Sequence, residues 1–197
     1  RKVDVFLKFN TGMNRLGFRI DRARDIVTRL TLHAGTGDIT LMTHFARADE
    51  RDGHLEALKL FNEGTAGLPF ARSVANSAAC FDFDRVASDA PTGAGNDSVR
   101  PGIMLYGATP FTHATKSAAS LKLQPAMTLL TEIIGVQSLK AGDAVGYGGT
   151  YVAAKNERIA VVAAGYADGY PRHAPTGTPV LVAGSRTRLV GRVSMDK

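Results

Sequence analysis

The chain has 197 residues, of which 44% are hydrophobic, and it carries a formal net charge of +6 with an isoelectric point near 9.7. This composition, with its 21 glycines, is typical of a globular α/β protein and excludes disordered and collagen-like chains. No apolar run is long enough to span a membrane, and the basic residues are scattered beside acidic ones, without the interleaved aromatic residues of a nucleic-acid-binding surface. We therefore expect neither a membrane protein nor a nucleic-acid-binding protein.

Strand-like and helix-like segments alternate in the first part of the chain. Alternating or continuous apolar runs predict strands, and apolar residues at helical spacing predict helices, with Asp21 as the expected N-cap of the first helix. The predicted elements are a strand at 3–9, a helix at 21–30, a strand at 39–45, a helix at 54–61, a strand at 71–75, a helix at 77–81, a loop at 88–97 and a strand at 103–106. This alternation favours parallel βα units.

The pattern changes near Leu121, after which helical periodicity is weak. Apolar runs separated by turns predict strands at 127–136, 158–163, 179–182 and 188–193. The sequence therefore predicts two domains, residues 1–121 and an incomplete β-rich domain at 122–197.

Four βα units correspond to half of a closed eight-stranded barrel. Half a barrel would leave two unpaired strand edges and an uncovered apolar face. Because the chain also begins almost directly on a core-type strand, we expect that an N-terminal half is missing from this sequence. The predicted fold class is α/β, the second half of a (β/α)8 TIM-type barrel followed by a β-rich C-terminal domain.

The cysteine content and the first residues indicate the cellular setting. The single cysteine, Cys80, excludes an internal disulfide bond, and Asp4 interrupts the first apolar run, so the start does not resemble a signal peptide. We therefore expect a cytoplasmic protein.

Several polar residues stand out, and each has an ordinary structural interpretation. Arg100, beside a predicted strand, is most simply a surface ion pair, and Ser77 with Asn76 before a helix is most simply an N-cap. The glycines around Tyr147 could cradle a phosphate, although their spacing matches no phosphate-binding loop.

The histidines and lysines also have simple interpretations. His44 would ordinarily be a buried barrel histidine, and Lys8 a solvated or paired lysine. With Asp49 and His54, His44 could suggest a metal site, but the spacing of five residues fits neither a helical pair nor a zinc motif. We therefore expect no metal.

Seven motifs of this sequence occur together, in the same order and at similar spacing, in one known family. They are residues 8–18 (KFNTGMNRLGF), 43–46 (THFA), 75–79 (ANSAA), 100–107 (RPGIMLYG), 145–151 (VGYGGTY), 165–170 (GYADGY) and 190–196 (VGRVSMD). The chain thus resembles the alanine racemase family over essentially its whole length. Each motif alone is weak, and the ordered set is specific.

The resemblance implies a fold, an activity and an assembly. The family fold is an eight-stranded α/β barrel followed by a β-rich domain. Its members use pyridoxal 5'-phosphate to interconvert L-alanine and D-alanine by a two-base mechanism, which supplies D-alanine for peptidoglycan. The resemblance also implies a head-to-tail homodimer, in which the β-rich domain of one subunit reaches the barrel of the other.

The resemblance assigns roles to five residues. Arg100 would face the pyridine nitrogen of the cofactor, and Tyr147 would be the second catalytic base. A free phenol has a pKa near 10, so Tyr147 would need neighbours that lower it, and His44 and Arg15 hold the matching positions. Arg15 would also bind the substrate. The position of Lys8 can carry a carbamylated lysine that orients Arg15.

The resemblance also implies residues for the cofactor phosphate and for the substrate. The residues matching the phosphate contacts are Asn76, Ser77, Gly102 and Ile103. Tyr166 and Met195 match residues that line the substrate entrance and bind the substrate carboxylate, and core packing is their simpler interpretation.

The sequence departs from the family in what it lacks. The family attaches its cofactor to a lysine near the start of the barrel, and no lysine here lies in a matching motif. We therefore expect activity in a longer parent protein and none of use from this chain alone. Two alternatives remain, a serine or broad-specificity racemase and a non-catalytic, truncated cofactor-binding protein. The joint presence of the candidate catalytic residues argues against the second.

Overall fold

The computed structural model describes residues 1–82, 98–112 and 116–197. The chain forms two compact units, Arg1–Met127 and Thr128–Lys197. The domain division at residue 121 stays a prediction for the parent protein. Within the described ranges, no helix combines the length and the hydropathy needed to cross a bilayer.

The first unit is built on a parallel four-stranded sheet with the order β2-β1-β3-β4. The strands are β1 (Val3–Asn10), β2 (Phe18–Arg19), β3 (Thr36–Met42) and β4 (Ala71–Ser73). Three of them confirm predicted strands, although β3 begins three residues earlier than expected and β4 is two residues shorter. The short β2 was not predicted.

Among the described residues, three helices follow these strands, α1 (Ala23–Thr31), α2 (Leu55–Gly64) and α3 (Ser77–Phe81). All three confirm predicted helices, but the expected N-cap is wrong. Asp21 lies in a preceding 3₁₀-helix, Ile20–Arg22, and its carboxylate accepts hydrogen bonds from Arg19 at 2.7 and 3.3 Å. That ion pair occupies the side chain that would otherwise cap the helix.

The core of the first unit lies where α1 and α2 cover the sheet. Leu7 and Phe9 of β1 are buried, whereas Phe6 points to the other face and is largely exposed, as the alternating pattern predicts. Leu41 and Phe61 are among the most completely buried side chains. This packing holds the carboxyl ends of the strands in a fixed arrangement.

The predicted strand at 103–106 is wrong, because Ile103–Tyr106 forms a 3₁₀-helix with exposed apolar side chains. The backbone N–H of Gly102 donates to Ser77 Oγ at 2.7 Å, and this bond holds the turn at which the chain leaves the sheet. The segment that runs beside β4 lies earlier, where the N–H groups of Ser98 and Arg100 donate to carbonyls of residues 72 and 75. The predicted loop at 88–97 lies outside the described residues.

The second unit consists of antiparallel pairs of strands. They are β5 (Ile133–Leu139) with β8 (Glu157–Val162), β6 (Ala144–Val145) with β7 (Tyr151–Val152), and β9 (Pro179–Val182) with β10 (Ser185–Arg188). The predicted strand at 127–136 begins six residues too early. The one at 188–193 is misplaced, because Ala183 and Gly184 adopt positive φ values and close a tight hairpin. The β-rich character is confirmed.

Candidate active site

The candidate residues of the first unit gather at the carboxyl edge of its parallel sheet. Arg15 lies in the loop after β1, His44 follows β3, Ser77 opens the helix after β4, and Arg100 ends the segment beside β4. The carboxyl ends of parallel strands all meet at one edge, which is where α/β proteins build their sites. The structure therefore places residues from four separate motifs at one edge.

The guanidinium of Arg100 is held across the ends of two strands. Its Nη1 donates to the carbonyl oxygen of Ser73 at 2.7 Å and to Ser73 Oγ, and its Nη2 donates to the carbonyl oxygen of Thr43. None of these acceptors is a carboxylate, so the contacts differ from those of a surface ion pair. Burial lowers the pKa of Arg100, and the fork geometry orients the group as a hydrogen-bond donor.

Four basic side chains lie close enough to influence one another electrostatically. Burial lowers the pKa of His44, and the positive charges of Arg100, Arg15 and Lys8 lower it further. The pKa of Lys8 is also lowered, first by burial and then by Arg15 and Arg100. The cluster therefore favours a neutral His44 and attracts an anion, such as a phosphate or a carboxylate.

The loop that carries Arg15 is folded by local hydrogen bonds. Asn10 Oδ1 accepts from the backbone N–H groups of Gly12 at 3.2 Å and Asn14 at 2.9 Å, and Asn10 Nδ2 donates to Asn14 Oδ1 at 2.8 Å. Gly17 has a φ of +121°, and a Cβ there would lie 2.9 Å from backbone atoms of β1. The loop thus returns tightly against β1, which brings Arg15 near Lys8.

The residues proposed for phosphate binding also converge. Asn76 caps α3 by accepting from the N–H of Ala79 at 3.2 Å, and its Nδ2 donates to the carbonyl of Phe45 at 3.1 Å. Ser77 Oγ is buried and accepts the N–H of Gly102. The N-cap interpretation of Asn76 is therefore confirmed. Ile103 begins the 3₁₀-helix and is half exposed.

Sequence reasoning missed two buried hydroxyl residues, Ser73 and Thr43, whose backbone carbonyls hold Arg100. Ser73 Oγ donates to the carbonyl of Ser98 at 2.9 Å, and Thr43 Oγ1 donates to the carbonyl of Phe9 at 3.0 Å. The available signal was a hydroxyl residue at or just beyond the end of each of two apolar strands. Such residues are common enough that the signal alone would not have selected them.

Tyr147 is presented to the surface of the second unit. It begins the 3₁₀-helix Tyr147–Gly149, and its side chain is 74% exposed. Gly146 and Gly148 adopt positive φ values of 68° and 74°. These glycines permit a tight turn that projects the phenol outward.

Tyr166 and Met195 are brought together within the second unit. The N–H of Tyr166 donates to the carbonyl of Ser194 at 3.0 Å, and the N–H of Ala167 donates to the carbonyl of Met195 at 2.9 Å. A Cβ at Gly165 would lie 2.2 Å from the carbonyl oxygen of Met195, so this approach requires glycine. Both side chains are partly or largely exposed, which differs from the core packing that was their simpler interpretation.

No group of three or more His, Cys, Asp or Glu side chains suited to a metal ion occurs in the described part of the chain. His54 is buried, with its ring 5.9 Å from that of Phe45, whereas His44 belongs to the basic cluster. Asp49, the third residue of the hypothetical metal site, forms no metal-binding group with these two histidines in the described residues.

Comparisons with known proteins agree on one family. The family model described as "Alanine racemase, N-terminal domain" matches residues 1–110, and "Alanine racemase, C-terminal domain" matches residues 126–197. An alanine racemase of Thiobacillus denitrificans is 53% identical over 196 residues, which are 100% of this chain and 51% of that protein. The chain thus spans about half the length of the curated relatives it matches.

Solved structures give the same result. The biosynthetic alanine racemase from Pseudomonas aeruginosa matches with a TM-score of 0.81 and 46% identity, over 99% of this chain and 52% of that one. The alanine racemase from Bartonella henselae, solved with covalently bound pyridoxal phosphate, matches with a TM-score of 0.73 and 26% identity, over 100% of this chain and 52% of that one. The predicted fold class, a partial barrel followed by a β-rich domain, is confirmed.

Proposed function

Since this chain belongs to the alanine racemase family, we propose that it is the middle and later part of an enzyme that interconverts L-alanine and D-alanine with pyridoxal 5'-phosphate. The observation that carries the proposal is the basic cluster at the carboxyl edge of the sheet, with Arg100 held across two strand ends. The activity belongs to the longer parent protein, because the chain contains no lysine in a motif suited to cofactor attachment.

The residues present fit this cofactor on their chemistry. The cofactor is an anion that also carries a ring nitrogen able to accept a hydrogen bond. The basic cluster suits its negative charge, and the buried Ser77 hydroxyl lies next to the backbone N–H of Gly102 at the same edge. We assign the phosphate to Asn76, Ser77, Gly102 and Ile103. When bound, the cofactor supplies an electron-withdrawing ring that acidifies the α-proton of an attached amino acid.

Arg100 donates a hydrogen bond to the ring nitrogen in this proposal. A guanidinium gives up a proton only above about pH 12, so it leaves the ring nitrogen unprotonated. This hydrogen bond would limit the electron withdrawal of the bound ring and, with it, side reactions such as transamination. The contacts of Arg100 with Ser73 and Thr43 support this role, because they fix the direction of the remaining N–H groups.

Tyr147 removes or returns the α-proton through its phenolic oxygen. Its exposure in the second unit supports action on the site of a partner subunit in a head-to-tail homodimer. His44 and Arg15 would assist it there, since a neutral histidine and a guanidinium both stabilise a phenolate by donating hydrogen bonds. The partner's Tyr147 would thus complete the basic cluster of this chain.

Lys8 is proposed to be carbamylated. Burial and two arginines lower the pKa of Lys8, which increases the neutral amine that can attack carbon dioxide. The ammonium first loses one proton; the amine then forms an N–C bond as one C=O π bond of carbon dioxide opens, and a second proton is released. The cation at Lys8 thereby becomes an anion beside the two arginines. The carbamate would then hold Arg15 in place for the substrate carboxylate, with Met195 and Tyr166 of the second unit lining the entrance.

The test is racemisation by the full-length protein, measured from both enantiomers. Tyr147→Phe should lower turnover in both directions by about 10²- to 10⁴-fold, the usual contribution of a positioned general base. Tyr151→Phe is the matched control, because Tyr151 lies in the same segment and its hydroxyl contacts Glu157. A full-length protein that fails to racemise alanine would refute the proposal, and faster turnover of serine would reassign the substrate.

A further inference from the structure

Thr43 connects three parts of the candidate active site. It follows β3 directly, precedes His44 and has an exposed fraction of 0%. Its Oγ1 donates to the carbonyl oxygen of Phe9 at 3.0 Å and lies 2.7 Å from Oγ1 of Thr11, whose residue exposure is 5%. The side chain thus joins the end of β3 to the end of β1 and to the loop after it.

The donor in the hydrogen bond between Thr11 and Thr43 follows from the number of hydrogens that each hydroxyl can donate. A hydroxyl group has one hydrogen to donate and two lone pairs to accept with. The hydrogen of Thr43 is given to the carbonyl of Phe9, which cannot donate. Thr11 must therefore donate to Thr43, so that the hydrogen bonds run from Thr11 through Thr43 to Phe9.

The backbone of Thr43 forms two further hydrogen bonds, one of them to Arg100. Its N–H donates to the carbonyl of Ser73 at 3.3 Å, and its own carbonyl accepts from Nη2 of Arg100. The carbonyl of Ser73 also accepts from Nη1 of the same guanidinium at 2.7 Å. The plane of that guanidinium is consequently set by two neighbouring carbonyls, one of which belongs to Thr43.

We propose that Thr43 is a positioning residue whose buried hydroxyl bond to β1 holds the carbonyl that orients Arg100. The proposal rests on the proposed function, in which Arg100 contacts the cofactor. Without the hydroxyl, the peptide between Thr43 and His44 can rotate, and both Arg100 and the imidazole lose their alignment. Misalignment of a catalytic group by a fraction of an ångström acts on turnover rather than on substrate affinity.

The test uses the full-length enzyme with bound cofactor and three variants. Thr43→Val keeps the shape and removes the hydroxyl, and Thr43→Ser keeps the hydroxyl. Thr65→Val is the matched control, because Thr65 is equally buried, donates to the carbonyl of Phe61 at 2.6 Å and accepts from Arg72, away from the site.

We expect Thr43→Val to lower kcat by about tenfold to a hundredfold with KM for alanine nearly unchanged. It should also alter the visible circular dichroism of the bound cofactor, which reports the orientation of the ring independently of turnover. Thr43→Ser should restore both readouts. Thr65→Val should lose stability while keeping kcat and the dichroism.

The outcomes separate this inference from the proposed function. A wild-type protein unable to racemise alanine overturns both. An active wild type with normal kcat and dichroism in Thr43→Val overturns the inference alone. If Thr43→Val does not fold, Thr43→Ala replaces it, since it also removes the hydroxyl bond to the carbonyl of Phe9 and adds no bulk. A normal kcat and spectrum in that variant would equally refute the positioning role.

Discussion

The sharpest structural prediction concerns two glycines in the loop that carries Arg15. Gly12 and Gly17 have nearly the same φ, +122° and +121°, so a side chain is strained at either position. A Cβ at Gly12 would meet nothing within 4 Å, whereas a Cβ at Gly17 would lie 2.9 Å from backbone atoms of Phe9 and Asn10. The pair therefore separates backbone strain from steric conflict.

The magnitudes follow from these two contributions. A φ near +120° in a residue with a side chain costs about 1–3 kcal/mol, which both variants share. Overpacking against atoms that cannot move away adds about 1–3 kcal/mol, and it applies to Gly17→Ala alone. The free energy of unfolding of Gly17→Ala should thus be lower than that of Gly12→Ala by about 1–3 kcal/mol.

Urea unfolding of the two full-length variants, followed by circular dichroism, measures this difference in the free energy of unfolding. Because the conflict pushes the loop away from β1, Gly17→Ala should also lower kcat/KM more than Gly12→Ala does. Equal unfolding free energies for the two variants would refute the close approach of the loop to β1.

Three further predictions concern buried or clustered cations. The pKa of His44 is lowered in the folded protein, so as the pH falls below 6.5 the unfolded chain takes up a proton at this residue before the folded chain does. Acid should therefore lower the urea unfolding midpoint less in His44→Gln than in the wild type. Arg72 is buried, bonded to a side-chain amide and stacked 5.2 Å from an aromatic ring, so Arg72→Ala should cost about 2–4 kcal/mol of unfolding free energy. Arg22→Ala, which breaks an exposed ion pair, should cost under about 1 kcal/mol, and a similar loss in both would contradict this account. ¹³C-labelled bicarbonate should give the full-length protein a carbamate NMR signal that Lys8→Ala abolishes, and persistence of the signal would place the modification elsewhere.

The local patterns were sufficient for most elements. The alternation that buries Leu7 and Phe9 predicted β1, and Asn76 before an apolar run predicted α3 with its cap. Both depend on residues close in sequence. Residues 103–106 were mispredicted because an apolar run has the same pattern whether it is buried in a sheet or lies in an exposed 3₁₀-helix. The bond from Gly102 to Ser77, 25 residues away, decided between the two.

The candidate site residues also divide into features that sequence patterns predict and features that depend on tertiary contacts. Arg100, His44, Arg15 and Tyr147 were found through the order and spacing of motifs, whose family the comparisons confirm, while their catalytic roles stay predictions. The sequence by itself determined the α/β class, the change to β-rich structure and the residue types of the candidate site. Only the tertiary structure decided that Thr43 and Ser73 hold Arg100 and that four basic side chains share one sheet edge. These contacts join segments far apart in the chain, and their geometry depends on strand register and packing that no local pattern encodes.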